Sequence, residues 1–92
     1  MGKPQRKSLW LKADGTSEEV SPAEKDWRLQ EIQAKVGGDF KIVHRTNLAA
    51  GWIMLANENG IRDGRPENRR ASMIAGQPIV GDVLIVPAEL LE

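Results

Sequence analysis

The chain has 92 residues and no cysteine, and its 13 basic side chains balance 13 acidic ones. This length predicts a single domain over residues 1–92, and the lack of cysteine excludes a disulfide framework and a cysteine-based zinc site. Zero net charge removes the strongest sequence argument for nucleic-acid binding, which depends on neutralising phosphates. Because no apolar run approaches the roughly 18 residues that cross a bilayer, we expect a cytoplasmic protein without a membrane contact.

A β-hairpin is predicted near the start of the domain, after a flexible basic tail at residues 1–7. Leu9 and Leu11 fall on one face of an alternating segment, and Trp10 falls on the other. Asp14-Gly15 is a common two-residue hairpin turn, so residues 16–20 are expected to return as the second strand.

The first helix is predicted over residues 22–36. Ser21 and Glu24 have the spacing of a capping box, and Pro22 suits the first helical position. Apolar side chains at positions 29, 32 and 36 form one stripe along the helix. Gly37-Gly38 is expected to end it, since glycine accepts the left-handed conformation of a helix C-terminus.

The rest of the chain predicts three strands and a second helix. Residues 39–44, with Phe40 and Ile42 inward, are expected to pair antiparallel with residues 52–56. A short helix over residues 66–75 follows and stops at Gly76. Residues 83–86 show no alternation, which predicts a central strand covered on both sides. Residues 88–92 should form a helical turn or fray.

The order ββ-α-ββ-α-β predicts an α+β fold with a mainly antiparallel sheet and two helices, which we place on one face of the sheet. The connector from Asn57 to Ala71 carries the densest positive charge of the chain. Within its segment from Arg62 to Arg70, the basic side chains are Arg62, Arg65, Arg69 and Arg70, against Asp63 and Glu67. Polar, glycine-containing connectors at the end of a sheet commonly carry binding sites.

Four short motifs follow one another from the first helix onward. They are Val36-Gly37-Gly38, Asn57-Glu58-Asn59-Gly60, Arg65-Pro66-Glu67-Asn68-Arg69-Arg70-Ala71 and Ile79-Val80-Gly81. Their order and spacing resemble the pattern Val-Gly-Gly, Asn-Glu-x-Gly, Leu-Pro-x-Asn-x-x-Ala and Ile-x-Gly of a widespread family of unknown function. Arg65 stands where this pattern has leucine, and Asp39 where an aromatic residue is common.

Members of that family occur in phages, plasmids and other mobile elements of bacteria. The resemblance therefore implies a genomic setting and no particular reaction. Small phage proteins of this kind are often directed at the host, and they include counter-defence inhibitors of bacterial immune systems.

Catalysis is not expected. His44 is the only histidine, so it would have to serve any histidine-dependent mechanism, and no nucleophile is marked near it. No set of side chains has metal-ligand spacing. We therefore predict a protein that is not an enzyme and that has no cofactor.

The connector allows an anion site or a plain structural turn. Amides near Gly60 and Gly64, with those of the second helix, could face a phosphate beside Arg69 and Arg70. Glycine turns without the lysine of a P-loop are common, which favours the structural interpretation. Arg69 and Arg70 nevertheless lie in a first helical turn, where the helix dipole disfavours cations. An anionic ligand or the carboxylates of a partner would offset that penalty.

The remaining candidates have architectural alternatives. Asn57 suits an Asx turn, and Asn68 could hold the connector in place. Trp52 is predicted in the core. Trp10 and Trp27 either complete the core or leave one ring exposed beside arginine, as in interface hot spots.

Three functions remain open at this point. The leading hypothesis is a non-enzymatic binding protein that inhibits a host bacterial protein. The second is an oligomeric sponge for an anionic nucleotide-type signal, and the third, ranked below both, is a nucleic-acid-binding regulator. A homo-oligomer is compatible with each of them. The candidate binding residues are Arg62, Arg65, Asn68, Arg69, Arg70, Asn57 and Trp27.

Overall fold

The computed structural model describes residues 7–91 and contains a five-stranded sheet and two α-helices. In chain order the elements are β1 (Ser8–Leu11), β2 (Ser17–Val20), α1 (Leu29–Val36), β3 (Phe40–Val43), β4 (Trp52–Asn57), α2 (Arg69–Ala75), β5 (Val83–Pro87) and a 3-10 turn (Ala88–Leu90). The predicted α+β class and the order ββ-α-ββ-α-β are confirmed. Apart from Lys7, the predicted flexible tail lies outside the described residues. No helix within residues 7–91 is long and apolar enough to cross a membrane.

The strands lie in the order β2-β1-β5-β4-β3, and every neighbouring pair is antiparallel. The predicted hairpin is present, with Leu11 opposite Ser17 and Lys12 N donating to Thr16 O at 2.9 Å. Its loop has three residues, Ala13 to Gly15, instead of the predicted two. Gly15 has a φ of 94°, the left-handed conformation that its turn requires. β5 lies at the centre of the sheet, as its unbroken apolar sequence predicts.

The two helices lie on opposite faces of the sheet, so the prediction that both pack on one face is wrong. Leu84 and Val86 of β5 share a buried cluster with residues of α1. Val83 and Ile85, which point the other way, share a second buried cluster with Ala71 and Ala75 of α2. Two apolar faces on the central strand need a helix on each side, and the result is a three-layer arrangement.

Helix α1 is shorter than predicted and begins at Leu29. Trp27 N donates to Leu90 O at 2.8 Å and Trp27 forms a bridge with Leu91, which holds the backbone at residue 27 extended. The predicted capping box at Ser21 and Glu24 therefore does not form. The acid of the first turn is Glu31, whose carboxylate accepts from Ala23 N at 2.9 Å and Arg28 N at 3.1 Å.

Helix α2 also begins later than predicted, at Arg69 instead of Pro66. Pro66 O accepts from Gly81 N at 2.8 Å and Glu67 bridges Val80, so this segment pairs with the chain that precedes β5. Arg69 and Arg70 remain in the first turn of the helix, as predicted. Gly76 ends the helix, also as predicted, with a φ of 68°.

Strand β3 forms one edge of the sheet and pairs antiparallel with β4, as predicted. Phe40 packs against the α1 cluster, but Ile42 is 46% exposed instead of inward. The edge position explains the difference, because no further strand within residues 7–91 lies beyond β3 to cover Ile42.

Candidate binding surface at the connector

The connector between β4 and α2 is closed by its own backbone. Asp63 N donates to Asn59 O at 2.9 Å, Gly64 N to Ile61 O at 3.2 Å, and Arg65 N to Gly60 O at 3.0 Å. These amides have internal acceptors, so they are not available to cradle a phosphate. A Cβ on Gly60 would lie 2.7 Å from Val80 Cγ2, so a larger residue there would require Val80 to shift.

Asn68 is the most heavily bonded side chain of the connector. It is buried, and its Oδ1 accepts from Ala71 N at 3.0 Å as the cap of α2. Its Nδ2 donates to Leu11 O at 2.9 Å and to Gly81 O at 3.0 Å. One amide therefore joins the end of β1, the approach to β5 and the start of α2, which is the architectural role considered for it.

Asn57 makes the matching connection to α1. Its Nδ2 donates to Val36 O at 3.1 Å, and its Oδ1 accepts from Asn59 N at 2.8 Å in the predicted Asx turn. The buried Asn57 side chain therefore has both an acceptor and a donor inside the protein. It ties the start of the connector to the last turn of the helix.

Arg65 lies against the C-terminus of α1. Its Nη2 donates to Gly37 O at 2.8 Å, where the helix dipole favours a positive charge. The stem of Arg65 covers Gly81, since a Cβ added there would lie 3.1 Å from Arg65 Cδ. Its Nε is shielded from solvent and has no hydrogen-bond partner among the described residues. Arg65 is thus a structural tie and not a free contact residue.

These bonds bring the four sequence motifs together. Asn57 holds Val36, Arg65 holds Gly37, and Asn68 holds Gly81. The motifs therefore build one junction that fixes the connector between α1, β1 and β5.

The tryptophans complete the core. Trp27 is only 3% exposed, and its Nε1 donates to Ser8 Oγ at 2.8 Å. Trp10 is half-buried, its Nε1 donates to Lys35 O at 2.9 Å, and the Nζ atoms of Lys12 and Lys35 each lie 4.2 Å from its ring centroid. The hypothesis that Trp27 is an exposed hot spot is therefore wrong.

Three of the predicted binding residues are exposed. Arg62 is one of them, and its Nε lies 3.5 Å from Asp63 Oδ1. Arg69 and Arg70 are exposed as well, and no carboxylate of residues 7–91 lies within salt-bridge distance of either. The structure separates these arginines from the buried junction that Asn57, Arg65 and Asn68 form.

Two exposed apolar side chains accompany the arginines. Met73 is 78% exposed and lies one helical turn beyond Arg69 and Arg70. Met73 and Arg69 line an open depression of about 310 Å³ with Gln77 and Pro78. Exposed Ile61 lies on the other side of Pro78, in a second depression. We call this surface the Pro78 face, formed by Ile61, Arg69, Arg70, Met73, Gln77 and Pro78.

The sequence reasoning missed the apolar part of this face. Met73 lies off the buried stripe that Ala71 and Ala75 form, so the helical period alone could have shown that it points outward. Ile61 carried no such signal because it lies in an irregular turn.

His44 is exposed on the loop that follows β3. Its backbone oxygen accepts from Gln77 Nε2 at 3.2 Å. Within residues 7–91, no three His, Asp or Glu side chains are grouped so that they could hold a metal ion.

The fold and the junction define a small three-layer α+β protein with a fixed, arginine-bearing connector. Residues 11–89 match the family described as a domain of unknown function, DUF3846, and the chain belongs to this family. The matched range includes all four motifs of the junction. No curated protein matches the chain. No solved structure matches it either.

Proposed function

We propose that this protein is a non-enzymatic binding protein of a phage or mobile element, and that it inhibits a host bacterial protein by covering part of its surface. The observation that supports this proposal is the exposed pair Arg69 and Arg70, which has no carboxylate partner among residues 7–91 and lies beside exposed Met73. Arginine and methionine are both enriched in protein interfaces.

The position of the two arginines strengthens the argument. Each lies in the first turn of α2, where the helix dipole opposes a cation by about 0.3–1 kcal/mol. No carboxylate of residues 7–91 forms a salt bridge with either of these two unfavourably placed charges. Carboxylates on a partner would remove this penalty and would form bidentate pairs with the guanidinium groups.

An acidic protein surface fits the Pro78 face better than a small anion. The amides of Asp63, Gly64 and Arg65 already have internal acceptors, and the depression beside Arg69 is open, so a nucleotide would remain largely solvated. A nucleic acid requires many phosphates to be neutralised, and the chain has a net charge of zero. We therefore rank the hypotheses of a nucleotide sponge and of a nucleic-acid-binding regulator below that of a protein that binds a protein partner.

The proposal predicts that the double variant Arg69→Glu, Arg70→Glu loses partner binding but keeps its fold. Acidic residues in the first turn suit the helix dipole, so the melting temperature should stay level or rise slightly. The measurement is a pull-down from a lysate of the bacterial host with immobilised protein, quantified by mass spectrometry. The control variant Lys7→Glu, Lys25→Glu changes the net charge equally at two exposed positions on other segments.

Proteins that the wild type and the control retain, and that the arginine variant loses, are the expected partners. Equal retention by all three proteins would contradict the proposal. Calorimetric titration with cyclic dinucleotides and ADP-ribose separates the alternatives, because binding that depends on Arg69 and Arg70 would support the sponge instead.

A further inference from the structure

We infer that β3 is a self-pairing edge, through which two copies of this chain join their sheets into one continuous antiparallel sheet. The two edge strands of the sheet, β2 and β3, differ in how well they are protected against pairing with a strand of another chain. β2 carries exposed Glu18 and Glu19, which would repel a second copy of the same strand. β3 has one lysine, no proline and an exposed isoleucine, which leaves its backbone open to pairing.

The hydrogen-bond parity of β3 identifies the groups that face outward. Glu58 N donates to Asp39 O at 2.8 Å, and the register pairs Lys41 with Ala56. Because antiparallel partners alternate, Asp39, Lys41 and Val43 direct their backbone groups toward β4. Phe40 and Ile42 direct theirs toward the free edge.

This parity allows a two-fold register centred on each of the four residues of β3. The Val43 register needs extended backbone at residues 44–46, and Arg45 has a φ of 61°. The Lys41 register sets this ammonium opposite its copy, which is destabilising. The Phe40 register needs the amide of Gly38, which already donates to Gln33 O at 2.9 Å. The Ile42 register sets Ile42 opposite its copy and Lys41 opposite Val43, so it avoids these conflicts.

The Ile42 register also has complementary charges at its ends. β3 ends at Val43, and Arg45 follows in a bend with a φ of 61°. In this register, Asp39 of one protomer and Arg45 of its partner therefore lie at the same end of the paired strands, and the two-fold axis repeats the pair at the other end. Both side chains are exposed, and Arg45 makes no ion pair with any carboxylate of the described chain. This self-complementarity identifies a second copy as the occupant, in preference to an unrelated peptide.

Apolar surface next to β3 would be covered in the same step. Leu29 is 58% exposed, and with Ile42 it lines an open groove of about 260 Å³ between α1 and the sheet edge. Trp27 and Phe40 also line this groove, which is open to solvent in the single chain. Pairing at Ile42 would bring two such grooves together across the axis and remove their apolar walls from water.

Native mass tests the inference directly. We expect a dimer at twice the chain mass of 10.2 kDa in light scattering coupled to size exclusion, and a monomer for Ile42→Lys. Met73→Lys is the matched control, because it replaces an apolar side chain of greater exposure outside β3 and should remain a dimer. Circular dichroism checks that each variant is folded. A wild-type monomer at the highest soluble concentration, or an Ile42→Lys dimer, would overturn the inference.

Cross-linking tests the register, since the chain has no cysteine of its own. Directly opposed residues of a hydrogen-bonded antiparallel pair have Cα atoms about 5.5 Å apart, within the range of a disulfide. Ile42→Cys should therefore form a covalent dimer under mild oxidation, and Met73→Cys should not. Equal cross-linking of both variants would show that the disulfides form by random collision of chains, and it would overturn the Ile42 register. The Arg69→Glu, Arg70→Glu variant should stay dimeric, so this inference and the proposed function can fail separately.

Discussion

At the scale of residues, the junction depends on side chains whose partners are distant backbone carbonyls. Asn68 and Leu11 are 57 positions apart, and Arg65 and Gly37 are 28 positions apart. The sequence placed Asn68 and Arg65 correctly in the connector and allowed an architectural role for Asn68. The sequence could not identify the backbone carbonyls that accept from these side chains, because local residue spacing does not show which ends of strands and helices lie close together in the fold. For Arg65 the sequence indicated recognition, and the structure assigns it to the junction.

Asn68→Ala should destabilise the fold by about 3 kcal/mol, because it removes a helix cap and leaves two buried carbonyls without a donor. Asn68→Ser should recover the cap alone and should fall between the alanine variant and the wild type. Urea unfolding measures the difference, with exposed Asn47→Ala as the control. A loss below about 1 kcal/mol for Asn68→Ala would show that the junction is not needed for stability.

Gly37→Ala should cost more than Gly76→Ala, although both glycines end a helix at positive φ. A Cβ at Gly37 would lie 2.6 Å from Arg65 Nη1, whereas no atom of the described residues lies within 4 Å of the corresponding position at Gly76. We expect Gly76→Ala to cost about 1 kcal/mol from backbone strain, and Gly37→Ala about 1 kcal/mol more from the displaced Arg65.

A double-mutant cycle checks this explanation. In the background of Arg65→Leu, the two glycine substitutions should have equal effects on the free energy of unfolding, since the obstructing guanidinium is gone. If the excess cost at Gly37 persisted in that background, Arg65 would not be its cause.

At the scale of elements, the sequence predicted where helices end better than where they begin. Gly37 and Gly76 stop α1 and α2 as expected, because a left-handed C-terminus is a local property of glycine. The helix starts were set by tertiary contacts. Ser21 and Glu24 have good capping chemistry, yet residues 23–26 form bends, and the bond from Trp27 N to Leu90 O holds residue 27 extended in a bridge with Leu91. Such a contact leaves no periodic signal in the sequence.

Glu31 should make the stability of α1 depend on pH. The bond from Ala23 N, and after it the bond from Arg28 N, lowers the pKa of the Glu31 carboxyl below its ordinary value of 4.5. A lowered folded-state pKa means that the contribution is complete above the unfolded value and is lost as pH falls through the folded value. Glu31→Gln should therefore lower the free energy of unfolding near neutral pH and make it less sensitive to acid.

Unfolding curves at neutral and acid pH provide the measurement. Glu24→Gln is the control, because its exposed pair with Arg28 at 2.7 Å should contribute little. Parallel pH profiles for the wild type and Glu31→Gln would contradict the assignment.

At the scale of the whole molecule, the sequence predicted the composition of the sheet but not the placement of the helices. The unbroken apolar sequence of β5 correctly indicated a central strand with two covered faces. The choice of one face for both helices conflicted with that indication, since a strand buried on both sides needs cover on both. The face of the sheet that each helix covers follows from the registers of four strand pairs, and only the assembled sheet defines these registers.

The central position of β5 also determines when the sheet can assemble during synthesis. The hairpin β1–β2 and the pair β3–β4 share no ladder until β5 lies between them, and β5 is the last strand in the described chain. A ribosome therefore produces two disconnected pieces of sheet, each with an apolar side in water, before the strand that unites them has been translated. Aggregation and chaperone dependence should be concentrated in that interval, because closure of such distant contacts is slow.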